Sequence, residues 1–148
     1  MSNVLIVYGS TTGNTEGVAN DIADLLKQGG KNVTVLNASE AKAQGLCAGR
    51  DCVLFGCSTW GYDAVELQDD FASLFEAFDA IGASGVKAAV FGCGDSGYPH
   101  FCGAVDAIAQ KLEELGAQLM ADSLKIDGDP AEAGDDIKAW AKNIMAAV

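Results

Sequence analysis

Positive charge is scarce in this chain: 9 Lys and Arg stand against 21 Asp and Glu, a formal net charge of −12 over 148 residues. So acidic a surface repels phosphate backbones and anionic lipid, which argues against nucleic acid and membranes as partners. A basic patch on another protein is the natural complement. Histidine is scarcer still, with His100 alone, and no metal-ligand spacing occurs, so no metal is assigned. The five cysteines, Cys47, Cys52, Cys57, Cys93 and Cys102, are odd in number and form no C-x-x-C pair. That argues against a disulfide framework and for a reducing, cytoplasmic setting. No apolar run reaches the length of a membrane span, and Val4–Tyr8 is too short, and lacks the basic flank, to be read as a signal peptide. Linkers, repeats and low-complexity tracts are absent, so residues 1–148 read as a single domain.

What is present is a strict alternation of strand and helix patterns. Val4–Tyr8 is nearly all apolar, as expected of a strand buried on both faces. Val18, Ile22, Leu25 and Leu26 then repeat at helical spacing, closed by Gly29-Gly30. Val33–Leu36 reads as a second strand, Ala38–Gly49 as a loose segment with room for a short helix, and Cys52–Cys57 as a third strand. Leu67, Phe71, Leu74, Phe75 and Phe78 form the next helical stripe, followed by strand Ala88–Cys93. Val105, Ile108, Leu112 and Leu115 form another, ended by Gly116; Leu119–Ile126 supplies a fifth strand and Ile137, Trp140, Ile144 and Val148 a last helix. Such alternation implies a five-stranded parallel α/β sheet with helices on both faces. Ligands on such sheets bind outside the carboxyl ends of the strands, where the strand order reverses.

Three loops therefore carry the chemistry. Gly9-Ser10-Thr11-Thr12-Gly13-Asn14-Thr15-Glu16 runs into a helix, offering backbone turns, hydroxyl donors and the positive end of a helix dipole: an anion cradle. No Lys follows Gly13, so this is not an ATP-binding Walker loop, and the G-x-G-x-x-G of dinucleotide folds is absent too. Ser58-Thr59-Trp60-Gly61-Tyr62-Asp63 places an aromatic face after strand three. Gly92-Cys93-Gly94-Asp95-Ser96-Gly97-Tyr98-Pro99-His100-Phe101 follows strand four and adds a second aromatic, Tyr98, on a glycine-rich backbone that can approach a ligand closely. Together the three suggest a ligand with a phosphate and a flat ring. None of the loops contains Lys or Arg, so dipoles and hydroxyls, not counter-charge, would hold the phosphate; Asp63, Glu66, Asp69, Asp70 and Asp95 add negative charge in and beside them.

Ser10-Thr11-Thr12-Gly13-Asn14-Thr15, Ser58-Thr59-Trp60-Gly61 and Gly92-Cys93-Gly94-Asp95-Ser96-x-Tyr98 resemble the three FMN-binding loops of flavodoxins, most closely the short-chain flavodoxins of sulfate-reducing bacteria. The resemblance implies strand order 2-1-3-4-5 with FMN at the switch point, an arrangement for which flavodoxin is itself the standard example. It implies that Ser10, Thr11, Thr12, Gly13, Asn14 and Thr15 hold the phosphate and that Ser58 and Thr59 line the ribityl side. Trp60 and Tyr98 would sandwich the ring. Backbone groups near Thr59, Gly61, Asp95 and Cys102 would meet its polar edge, with Cys93, Gly94 and Phe101 bordering it.

Nothing near the implied ring offers a general base, a nucleophile or a substrate pocket. The expected function is thus a low-potential one-electron carrier, not an enzyme; the rival is an NAD(P)H-dependent FMN quinone reductase, for which no pocket-forming insertion is visible. Redox proteins with a basic face, such as multihaem cytochromes and oxidoreductases, are the expected partners of a monomer. Trp140, Cys52 and Cys57 read as core, His100 as surface, a Cys93–Cys102 disulfide is not favoured, and Asp127, Asp129, Asp135 and Asp136 read as helix-start or solvated acids.

Overall fold

The computed structural model describes residues 3–9, 13–57, 59–60, 66–67, 69–94, 103–127 and 130–148. Its strands form because short apolar runs find apolar cover on both sides. β1 (Asn3–Gly9) pairs in parallel with β2 (Asn32–Asn37) and with β3 (Cys52–Cys57), and β3 pairs with β4 (Lys87–Gly94). The fifth position, β5, comes in two pieces, Gln118–Leu119 and Leu124–Asp127, each parallel to β4. The order is therefore 2-1-3-4-5, as the resemblance implied.

Side chains alternate between the two faces. Val4, Ile6, Tyr8, Leu54, Ala89 and Phe91 pack with α1 (Asn14–Gln28) and α4 (Gly134–Ala147) through Val18, Ile22, Ile137 and Trp140. Leu5, Val7, Val53, Phe55 and Val90 pack with α2 (Asp69–Glu76) and α3 (Gly103–Glu114) through Phe71, Val105, Ile108 and Leu112. Phe55, Phe71 and Phe78 are fully buried with ring centroids 5.1 to 6.1 Å apart. Burial of each such ring stabilises the fold by about 1.5–3 kcal/mol.

The two helix stops read from glycine are the same device used twice. After α1, Gly30 at φ +85° donates to the Lys27 carbonyl and Lys31 to Leu26; after α3, Gly116 at φ +87° donates to Glu113 and Ala117 to Leu112. Both are Schellman caps, and the left-handed residue is glycine because a Cβ there is strained.

Four details differ from the sequence reading. Leu67 lies not in α2 but in a two-residue strand, Glu66–Leu67, antiparallel to Thr59–Trp60. Ala38–Gly49 forms turns rather than a short helix. The fifth strand breaks after Leu119, and within the break the Trp140 indole N–H donates to the Asp122 carbonyl at 2.7 Å. Asp127 ends the second piece of β5 instead of starting a helix. Trp140 itself is core, as expected, edge-on to Phe91.

Candidate functional site

β1, β3 and β4 end together: Gly9 stands opposite Cys57, and Gly56 opposite Phe91. β1 is flanked by β2 on one side and β3 on the other, so this shared edge is where the order reverses. From it leave the segments that the sequence analysis singled out.

α1 starts at this edge. Its N-cap is Gly13, at φ +94°, ψ −6°, and the first helical bond runs from Gly17 N–H to the Gly13 carbonyl at 2.9 Å. A Cβ built on Gly13 meets no atom within 4 Å, so the point where its side chain would stand is open among the described residues. Asn14 is the first helical residue and is exposed; Thr15 is fully buried and hydrogen-bonds Cys93. That bond joins the start of α1 to the end of β4. Burial pushes the Cys93 thiol up, and the Thr15 hydrogen bond only partly offsets it. Cys93 is thus a buried, protonated thiol rather than a reactive thiolate.

Two glycines let the strands close up here. A Cβ on Gly92 would lie 2.3 Å from the Cys57 carbonyl oxygen and 2.5 Å from a methyl of Val105, and one on Gly56 would lie 2.3 Å from the Phe91 ring. Gly92 and Cys93 belong to β4, which extends to Gly94, so the third loop starts later than the sequence suggested. Thr59 and Trp60 pair with Leu67 and Glu66, giving the second segment a hairpin that the sequence did not reveal. Ser10, Thr11, Thr12, Ser58, Gly61, Asp95, Tyr98, Phe101 and Cys102 lie outside the described residues.

One pair at this edge escaped the sequence reading. The Tyr8 hydroxyl donates to Glu16 Oε2 at 2.6 Å, linking the end of β1 to the first turn of α1. The Glu16 hydrogen bond and then burial push the phenol up to about 12. In the sequence Tyr8 is only the last member of an apolar run. A spacing of eight residues across a loop carries no periodic signal.

A left-handed glycine N-cap, glycine-tightened strand ends and an order reversal define the class: a parallel α/β sheet whose ligand edge lies at the carboxyl ends of its strands. The flavodoxin family model matches residues 6–140. A flavodoxin of Nitratidesulfovibrio vulgaris is 57% identical over the whole of both chains, and one of Maridesulfovibrio salexigens is 51% identical over 97% of each. The crystal structure of oxidised flavodoxin 1 from Bacillus cereus superposes with a TM-score of 0.90 at 30% identity, covering 99% of each chain. The chain belongs to the flavodoxin family. It is an FMN-binding electron carrier, not an enzyme, and its partners are redox proteins; a quinone reductase is not favoured. Among the described residues no helix is long and apolar enough to cross a membrane, and no cluster of ligating side chains could hold a metal ion.

Proposed function

We propose that the FMN lies across the shared carboxyl edge of β1, β3 and β4, with its phosphate at the amino end of α1. When bound, FMN supplies the electron-accepting ring. The segment Ser10, Thr11, Thr12, Gly13, Asn14 and Thr15 serves the phosphate through hydroxyls and backbone N–H groups together. Ser58 and Thr59 serve the ribityl chain, while Trp60 and Tyr98 cover the ring and shield it from water. Gly61, Cys93, Gly94, Asp95, Phe101 and Cys102 border it. The observation that carries this reading is the glycine N-cap of α1, standing where the strand order reverses.

The same reading extends to partners. The three segments carry no Lys or Arg, and Asp63, Glu66, Asp69, Asp70 and Asp95 lie in or next to them. A monomer presenting these acids suits a redox protein with a basic docking face, such as a multihaem cytochrome, in the cytoplasm.

Calorimetry on the FMN-stripped chain tests the assignment. FMN should bind one per chain and riboflavin far more weakly, because each donor left without its phosphate costs about 1–3 kcal/mol. Equal affinity for the two would remove the phosphate from this position.

A further inference from the structure

Glu16 is the third residue of α1. A carboxylate at that position ordinarily turns back on the unpaired N–H groups of its own helix, drawn by the positive end of the dipole. Here it is drawn to Tyr8 instead, at 2.6 Å. Tyr8 is well placed to hold it. Its backbone is fixed between two strands, opposite Asn37 in β2 and Gly56 in β3, and its carbonyl accepts the Ala38 N–H at 2.7 Å. Its side chain packs among buried residues that include Val18 and Ile22. The Asn37 side chain stands near the phenol and offsets part of its shift, while Asn37 Oδ1 accepts the N–H and the hydroxyl of Ser39. With its titration pushed up to about 12, the phenol stays a donor throughout the neutral range.

We propose that Tyr8 is a positioning residue for cofactor specificity: its hydroxyl holds the Glu16 carboxylate off the amino end of α1 and so keeps that end for the phosphate. The inference rests on the proposed phosphate position. A carboxylate released there would act twice against FMN, by occupying the same N–H groups and by repelling a second anion. Riboflavin, without a phosphate, would be indifferent to both effects.

The experiment compares FMN and riboflavin binding to the stripped full-length chain in four forms: unaltered, Tyr8→Phe, Glu16→Gln and the double variant. Tyr8→Phe should weaken FMN about tenfold, equivalent to about 1.4 kcal/mol, and leave riboflavin within about twofold. Adding Glu16→Gln should restore FMN binding, since a neutral amide neither repels the phosphate nor competes as strongly for the helix end. A loss shared equally by both ligands would mean that Tyr8 only braces β1 against α1, and would overturn the proposal. So would unchanged FMN affinity in Tyr8→Phe, or a loss that Glu16→Gln does not rescue. If the unaltered chain fails to prefer FMN over riboflavin, the phosphate position itself falls, which is a different failure from a preference that Tyr8→Phe leaves intact.

Discussion

Replacing Gly92 by alanine tests whether the strand ends are held at the separation the site requires. The new Cβ would sit 2.3 Å from the Cys57 carbonyl oxygen, where ordinary contact begins at 3.4 Å, so about 1 Å has to be found. The opposing atom is backbone, and Cys57 is itself paired with Gly9 in β1. Neither strand can yield by a rotamer change. Overpacking costs about 1–3 kcal/mol, and a clash on backbone belongs at the upper end, about 2–3 kcal/mol. In a domain of this size each kcal/mol lowers the melting temperature by roughly 2–4 °C, so a fall of about 4–12 °C is expected. The measurement is a thermal melt of the FMN-stripped chain, because bound ligand adds stability of its own. Gly17→Ala is the control of opposite sign: Gly17 lies inside α1 with nothing within 4 Å of its would-be Cβ, and alanine there should stabilise by about 0.5–1 kcal/mol. FMN affinity should fall in Gly92→Ala and hold in Gly17→Ala. A Gly92→Ala melt within about 1 °C of the unaltered chain would refute the reasoning, since it would mean that β3 and β4 separate freely.

Phe78→Ala removes the ring that contacts Phe55, Phe71 and Phe75 at 5.1, 5.9 and 5.2 Å, and urea unfolding should register a loss of about 3–5 kcal/mol. Burial pushes the thiols of Cys47 and Cys52 up from 9.0 to about 11 and about 12. Their contribution to stability is therefore complete below pH 9 and is lost as pH rises from about 9 to about 12, where the unfolded chain ionises first; urea midpoints across that range should fall, less steeply in Cys52→Ala. Electron transfer to a basic cytochrome should slow as salt rises, and replacing Asp69 and Asp70 by amides should slow encounter without releasing FMN; stopped-flow rates indifferent to ionic strength would count against the acidic docking face.

Much of the fold was legible because its signals are local. β1 and β3 read as strands since both faces are covered and almost every residue is apolar, although that same uniformity hid which residue faces which layer. The caps at Gly30 and Gly116 were legible because a left-handed residue is a backbone demand that glycine meets. Leu67 misled because it falls at helical spacing from Phe71, while the hairpin with Thr59 that claims its backbone is a tertiary event. The break in β5 was equally invisible: the Trp140 indole bonds a carbonyl 18 residues earlier in sequence. At the candidate site, the tight turn at Gly13 before α1 could be read directly from its glycine. The role of Gly92 as a spacer against Cys57 could not, because it depends on where β3 ends beside β4. The Tyr8–Glu16 contact depends likewise on how α1 lies against β1.

The amino edge of the sheet has its own tie: Lys87, the first residue of β4, donates from Nζ to the Ala147 carbonyl at 2.7 Å. The last turn of α4 is thereby fastened to the end of the molecule opposite Gly94 and the start of α1. A linker grafted after Val148 leaves from that far end, so a chain tethered through it to an electrode would turn its strand termini outward. Electrons would then enter from solution with the anchor never standing in their path, whereas a tether at Asn14 would press the same edge against the surface.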